Sequence, residues 1–262
     1  MTSALDLERL AKQLQTQRYG RSIAYRALTA STNDDAREAR SAGAEPGHVV
    51  VADAQSAGRG SRGRVWSSPS GTDLYLSIVD RLPLALAELP PLTLAVGLGV
   101  ADAVDQLLAG SSAPRAEVKW PNDVQIAGKK CAGILVEAST GLPGGDAVVI
   151  GIGLNVNRTE FPAELEGAAT SLRLSHGDAE LFDRSHALQV LLECVEERVD
   201  GFVHRGAAAT VQALLPRLAL LGQPARCDDV EGVVRGVEPT GALLFETGRG
   251  VERVVAGRLT SR

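Results

Sequence analysis

The sequence predicts a mixed α/β chain of the α+β type: a mixed or antiparallel sheet with helices packed on it, then a small all-β module. Three observations carry this. Short Val- and Ile-rich runs bunch in the middle of the chain and connect by hairpins more often than by helices. Strongly apolar or periodic helical segments lie on either side of them. After Pro216 the texture changes to valine-rich runs broken by Gly and Pro, which reads as a small barrel.

The elements follow in order. Residues 4–17 read as a short helix with Leu7, Leu10, Ala11 and Leu14 on one face. STNDDAREARSAG (31–43) reads as a capped helix that stops at Gly43. HVVVADAQ (48–55) and DLYLSIVD (73–80) read as strands on either side of the loop GRGSRGR (58–64). LTLAVGLGVADAVDQLLAG (92–110) is an apolar helix. EVKW, VQIAGKKCAGILVEAS and AVVIGIGLNVN (147–157) are strands, with a hairpin turn at AGKK (127–130) where Gly128 supplies the permissive backbone. From Asp178 to about Leu215 the pattern is helical again. The implied division is a main domain over 1–215 and a β-module over 216–262.

At 262 residues and 44% hydrophobic, the chain can bury a substantial core; with 3% aromatics, that core is mostly Leu, Val, Ala and Ile. The net charge of −5 argues against a general nucleic-acid binder. Cys131, Cys194 and Cys227 are far apart and form no CxxC or Cys/His cluster, so a zinc site or a disulfide framework is not expected. The N-terminal stretch lacks an apolar signal core, and no apolar run is long enough to span a bilayer, so the expected setting is the cytoplasm.

Against this acidic background, GRGSRGR packs three glycines and three arginines into seven residues. Glycines let backbone N–H groups approach a ligand, and arginines offer forked donors to phosphate or carboxylate. No Lys-Ser/Thr closes the loop, so it is not a Walker A loop. By spacing alone it reads equally as a solvated basic turn; Gln55 before it and Trp66 after it favour a ligand loop. In KWPNDVQIAGKKCAGILVE (119–137), Asp123 sits at the mouth of a strand and one of Lys129 and Lys130 can point over the sheet. Gly133 leaves room for a flat ligand against the backbone, although an ordinary hairpin explains the stretch in isolation. GIGLNVN (151–157) fails the dinucleotide fingerprint because no helix follows it. STN (31–33) alone is an N-cap.

Taken together and in this order, STN, QSAGRGSRGRVW, KWPND…GKKCAGILVE and GIGLNVN resemble the biotin protein ligases. The resemblance covers residues 28–157 strongly and the rest in general layout. It implies a catalytic domain like that of class II aminoacyl-tRNA synthetases and a C-terminal SH3-like barrel. It implies activation of biotin with ATP and magnesium to biotinyl-5′-AMP, then transfer to one lysine of a biotin carboxyl carrier domain. Ser31, Thr32, Asn33 and Gln55 would bind the biotin head. Arg59, Gly60 and Ser61 would line the biotin and the adenylate phosphate, and Gly133 and Leu135 would offer backbone to biotin. Lys130, rather than Lys129, would hold the carboxylate and α-phosphate. Arg62, Arg64, Trp66 and Asn155 would serve the nucleotide, and Asp123 would orient the acceptor lysine. The metal ligands stay open. Ser61 stands where many relatives carry Arg, and Cys131 where Leu is commoner. The short stretch before STN leads one to expect a monofunctional ligase, as monomer or homodimer, with no specific DNA target and no membrane. The readings set beside it are a lipoate or octanoate ligase of the same fold and a non-catalytic biotin sensor.

Overall fold

The computed structural model describes residues 5–83, 88–139, 147–177 and 181–261. A seven-stranded sheet runs through the main part in the order β1 (Ile23–Arg26), β2 (Val49–Ala52), β3 (Leu74–Asp80), β7 (Ala147–Leu154), β6 (Lys129–Ser139), β5 (Asp123–Ile126), β4 (Glu117–Lys119). β1 is parallel to β2 and the other pairs are antiparallel, so the sheet is mixed, as expected. β1 was not foreseen: Ile-Ala-Tyr-Arg has no clear alternation, and it is placed by helix α2 (Thr32–Ser41), which carries the chain from β1 to β2.

Side chains alternate across strands, so the sheet has two faces. The back face (Leu74, Leu76, Ile78, Ile134, Ile150, Ile152 and Leu154) packs into one apolar core with α3 (Leu89–Leu107) and α5 (Arg184–Leu214). At Gly99 of α3 a β-carbon would stand 2.8 Å from the Val195 Cα, so the two helices cross there on bare backbone. α5 bends at Gly206 (φ 78°). It starts at Arg184, later than the expected start at Asp178: residues 181–183 are not helical, the Asp183 side chain caps the helix, and residues 178–180 lie outside the described residues. The front face is covered only in part: Ala36 of α2 packs on Val50, Val79 and Val149. The rest of that face is left for the site.

Helix α1 (Leu7–Gln13) is shorter than expected. Asp6 caps it by accepting from the Arg9 amide at 2.9 Å, and the backbone turns extended at Leu14. Leu10 and Leu14 are buried, but Ala11 is exposed because the helix touches α5 along a narrower stripe. A short helix, α4 (Leu172–His176), follows the site segment.

The C-terminal strands form a five-stranded antiparallel sheet, β11 (Gly250–Val254), β10 (Leu243–Thr247), β9 (Val230–Val237), β8 (Pro224–Cys227), β12 (Leu259–Ser261), with β11 and β12 at its edges. This sheet and the segment leading into it are fastened to the main part at defined points. The Trp120 indole N–H donates to the Gly241 carbonyl at 2.8 Å, and the Ala219 amide donates to the Val118 carbonyl at 3.0 Å. The buried Arg217 guanidinium pairs with Asp102 and Asp105. Among the described residues no helix is long and apolar enough to cross a membrane.

Candidate active site

The site begins at the first turn of α2. Ser31 is its N-cap by position, but its side chain makes no capping hydrogen bond. Ser31, Thr32 and Asn33 are buried, and the side chains of Thr32 and Asn33 are hydrogen-bonded within the protein. Gln55 Oε1 accepts from the Thr32 amide at 2.9 Å, and Gln55 Nε2 donates to Ser68 Oγ at 2.9 Å. The Ser77 hydroxyl donates to Asn33 Oδ1 at 2.6 Å, and Asn33 Nδ2 donates to Glu137 Oε2 at 2.6 Å. The side chains that line this end of the cleft, Ser31, Thr32, Asn33 and Gln55, are polar and uncharged.

The floor is the front face of β6 and β7, where Gly133, Leu135, Gly151 and Gly153 sit in facing register. A β-carbon on Gly151 would lie 2.1 Å from Asn33 Oδ1, and one on Gly153 would lie 2.4 Å from the Trp66 ring. Glycine at 151 and 153 is therefore a packing requirement. The flat group lying on this floor is Trp66 itself, whose buried indole nitrogen has no hydrogen-bond partner. Lys130 Nζ stands 5.1 Å from the centre of the ring.

Cations form the rim. Lys130 pairs with Asp123 at 2.6 Å, while Lys129 is exposed and outside the cleft. Arg59 is held by Asp34 at 2.9 Å and Glu137 at 3.2 Å. The loop is closed as a hairpin: the Gly60 amide donates to the Arg64 carbonyl at 2.7 Å, and the Trp66 amide to the Gly58 carbonyl at 2.8 Å. Arg64 Nη2 donates to Ser61 Oγ at 2.9 Å. Arg62 sits at the tip in the left-handed region (φ 60°) and pairs with Asp228 at 3.4 Å. Asn155 is buried, with Nδ2 donating to the Thr170 carbonyl at 2.9 Å.

Fifteen site residues were expected from the sequence, spread from Ser31 to Asn155, and all fifteen line one cleft of about 350 Å3. Several further lining residues were not expected. Lys119, the first residue of KWPND, lies in the cleft, and burial draws its amine below the usual lysine value. Asp123 opposes that shift; Arg258, Lys130 and Arg64 reinforce it. Lys119 stands within a quoted motif, so that signal was available. Arg158 had none. It reaches Asp73 at 2.7 Å and the Ser67 carbonyl at 2.8 Å, and the two charged side chains are 6% and 0% exposed. The pair fastens the chain after β7 to the root of β3. Arg158→Met would bury the Asp73 carboxylate without its partner, which costs about 3–5 kcal/mol. A urea titration should show a clearly lowered midpoint at unchanged slope; an unchanged midpoint would mean that the pair holds nothing together.

A cleft with an uncharged polar end, a glycine-rich floor and a cationic rim suits a ligand with an uncharged head and an anionic tail. Comparison with known proteins agrees. The model of the biotin/lipoate A/B protein ligase family matches residues 25–157. The bifunctional ligase/repressor BirA of Bacillus subtilis is 34% identical over 92% of this chain and 74% of its own length. The biotin--[acetyl-CoA-carboxylase] ligase of Mycobacterium tuberculosis is 36% identical over 88% of this chain and 85% of its own length. The biotin protein ligase from Aquifex aeolicus, solved in complex with biotin and ATP, superposes with a TM-score of 0.79 at 28% identity, covering 91% of this chain and 97% of that one. The chain belongs to the biotin/lipoate A/B protein ligase family.

Proposed function

We infer that this chain is an ATP-dependent biotin protein ligase. A carboxylate oxygen of biotin attacks the α-phosphorus of ATP, pyrophosphate leaves, and biotinyl-5′-AMP forms. The amine of an acceptor lysine, in the carrier domain of a biotin-dependent carboxylase, then attacks the acyl carbon and AMP leaves. The observation that carries this reading is the convergence of four separated motifs on one cleft.

The chemistry explains the residue types. Two anions must meet, so the site needs cations where negative charge develops. Lys130 and Arg59 would bind the carboxylate and the α-phosphate, and Arg59 must exchange Asp34 and Glu137 for its ligand. Ser31, Thr32, Asn33 and Gln55 would hydrogen-bond the uncharged head of biotin. Gly133 and Leu135 would lie along biotin, with Gly60 and Ser61 closing over it. Arg62, Arg64, Trp66 and Asn155 would hold the nucleotide. Asp123 keeps Lys130 in place and is the acid nearest to it for the incoming amine. The biotin carboxylate is itself the nucleophile, so no activated Ser or Cys is required.

Among the described residues no group of three or more His, Cys, Asp or Glu is placed to hold a metal ion. Magnesium is often bound through one or two carboxylates plus substrate phosphates, and Asp123 is the carboxylate in the cleft suited to that. The ion would arrive with the nucleotide and neutralise part of its charge. The division into a synthetase-like catalytic domain over 1–215 and an SH3-like module over 216–262 belongs to the same reading. It is supported by the two separate sheets.

The test is label transfer. Labelled biotin, ATP and a purified apo carrier domain should give ATP-dependent covalent label on the carrier and release of pyrophosphate. Transfer of lipoate or octanoate in place of biotin would overturn the assignment.

A further inference from the structure

Glu137 closes the stretch GKKCAGILVE. It stands on β6 two positions beyond Leu135, so its side chain leaves the sheet on the same face as the floor of the cleft. It acts one layer behind the lining. Glu137 Oε2 accepts from Nδ2 of buried Asn33 at 2.6 Å, and Asn33 lines the cleft.

An Asn amide has nearly the same shape either way round, and its neighbours decide which end is oxygen. Two neighbours bear on Asn33. The Ser77 hydroxyl lies 2.6 Å from its oxygen, but a hydroxyl donates or accepts as required, so it fits either orientation. Glu137 does not adapt. A carboxylate only accepts, so the Asn33 NH2 must face it and Oδ1 must face the other way. That oxygen is then held over the floor, where a β-carbon on Gly151 would lie 2.1 Å from it. Ser77 fills one of its two lone pairs, and the other can serve a ligand. Glu137 is itself held by cations: Arg59 Nη2 donates to Oε2 at 3.2 Å, and Arg37 Nη1 stands 3.8 Å from Oε1.

We propose that Glu137 is a positioning residue that sets the polarity of the uncharged end of the cleft. By fixing the Asn33 amide, it makes that end accept hydrogen bonds, and so selects a ligand head that brings N–H donors, as a cyclic urea does. This rests on the reading of the cleft as a biotin ligase site. A head with an oxygen at that point would meet the Asn33 oxygen acceptor to acceptor, which leaves both without a proton.

Glu137→Gln keeps the shape and removes the constraint. A Gln amide can present its oxygen or its nitrogen, so Asn33 can turn over and Ser77 can follow. The probes are biotin and its two carbamate analogues, in each of which one ureido N–H is replaced by a ring oxygen. Calorimetry without ATP reads the affinities, and melting curves check that each variant folds. The parent should bind one of the two analogues about tenfold or more weaker than biotin. In Glu137→Gln that ratio should fall to about threefold or less. Glu137→Asp retains an acceptor-only group and should retain the ratio, even where all three affinities drop. Asp34→Asn loosens Arg59 through its other carboxylate and should leave the ratio as in the parent. A parent that tells neither analogue from biotin overturns the proposal, as does an equal ratio in parent and Glu137→Gln. A ratio that falls as far in Asp34→Asn also overturns it, because the effect then runs through Arg59. The reading of the cleft is judged separately. A parent that binds biotin but releases no pyrophosphate with ATP sinks the ligase reading and leaves these ratios to decide the role of Glu137.

Discussion

Lys130→Ala is expected to lower biotin-dependent pyrophosphate release by about two to three orders of magnitude, and Lys129→Ala to leave it within about twofold of the parent. The two lysines are neighbours in sequence with the same charge, so general electrostatics predicts nearly equal losses. Geometry predicts otherwise. Lys130 Nζ lies over the Trp66 ring and 2.6 Å from Asp123, inside the cleft, and Lys129 is outside it. Removing Lys130 also leaves Asp123 without its counter-charge beside two incoming anions, which adds repulsion to the lost attraction. Single-turnover pyrophosphate release at saturating ATP and biotin measures both variants. Equal losses would show that the hairpin acts as a diffuse positive patch.

The second large effect is expected from one methyl group. Gly151→Ala places a β-carbon 2.1 Å from Asn33 Oδ1, well inside contact distance. Asn33 cannot yield cheaply, because Ser77 holds its oxygen and Glu137 accepts from its nitrogen. Once it is displaced, buried donors and acceptors at the polar end lose partners, each at about 1–3 kcal/mol. The KM for biotin should therefore rise by about ten- to a hundredfold, with the KM for ATP little changed. Steady-state kinetics against each substrate reads this directly. If the KM for ATP rises instead, the polar end belongs to the nucleotide, and the assignment of Ser31, Thr32, Asn33 and Gln55 to biotin is wrong.

Much of the fold was legible because its signals are local. The apolar run 92–110 marks α3, and runs rich in Val, Ile and Leu mark β2, β3 and β7. The texture change after Pro216 marks the second sheet. The failures also have local causes. β1 carries too few apolar residues to announce itself and exists because β2 offers it an edge. By its local residues Ser31 reads only as a helix cap, and the motif resemblance alone assigns it to the site; the structure shows that it occupies the cap position without a cap bond and lines the cleft. The Arg158–Asp73 pair joins residues 85 apart, and no periodicity reports such a contact.

By itself the sequence determined the chemical inventory: the arginines of GRGSRGR, the side-chain-free positions 133, 151 and 153, and the motif order that marks the family. Tertiary structure decided which of those groups meet. The hairpin lysines are the clearest case. Strand side chains alternate with a period of two, so counting back from Gly133 puts Lys129 on the ligand face and Lys130 on the other. The β5–β6 register breaks between Val124 and Gln125: Val124 pairs with Ala132 and Gln125 with Lys130, which leaves Cys131 as an extra residue. This bulge shifts the parity by one, so Lys130 Nζ comes within 3.2 Å of where a Gly133 β-carbon would be. A bulge is a property of two strands in register. Neither strand's own residues encode it: the motif resemblance names Lys130, but the physical reason that Lys130 and not Lys129 enters the cleft exists only once β5 and β6 pair.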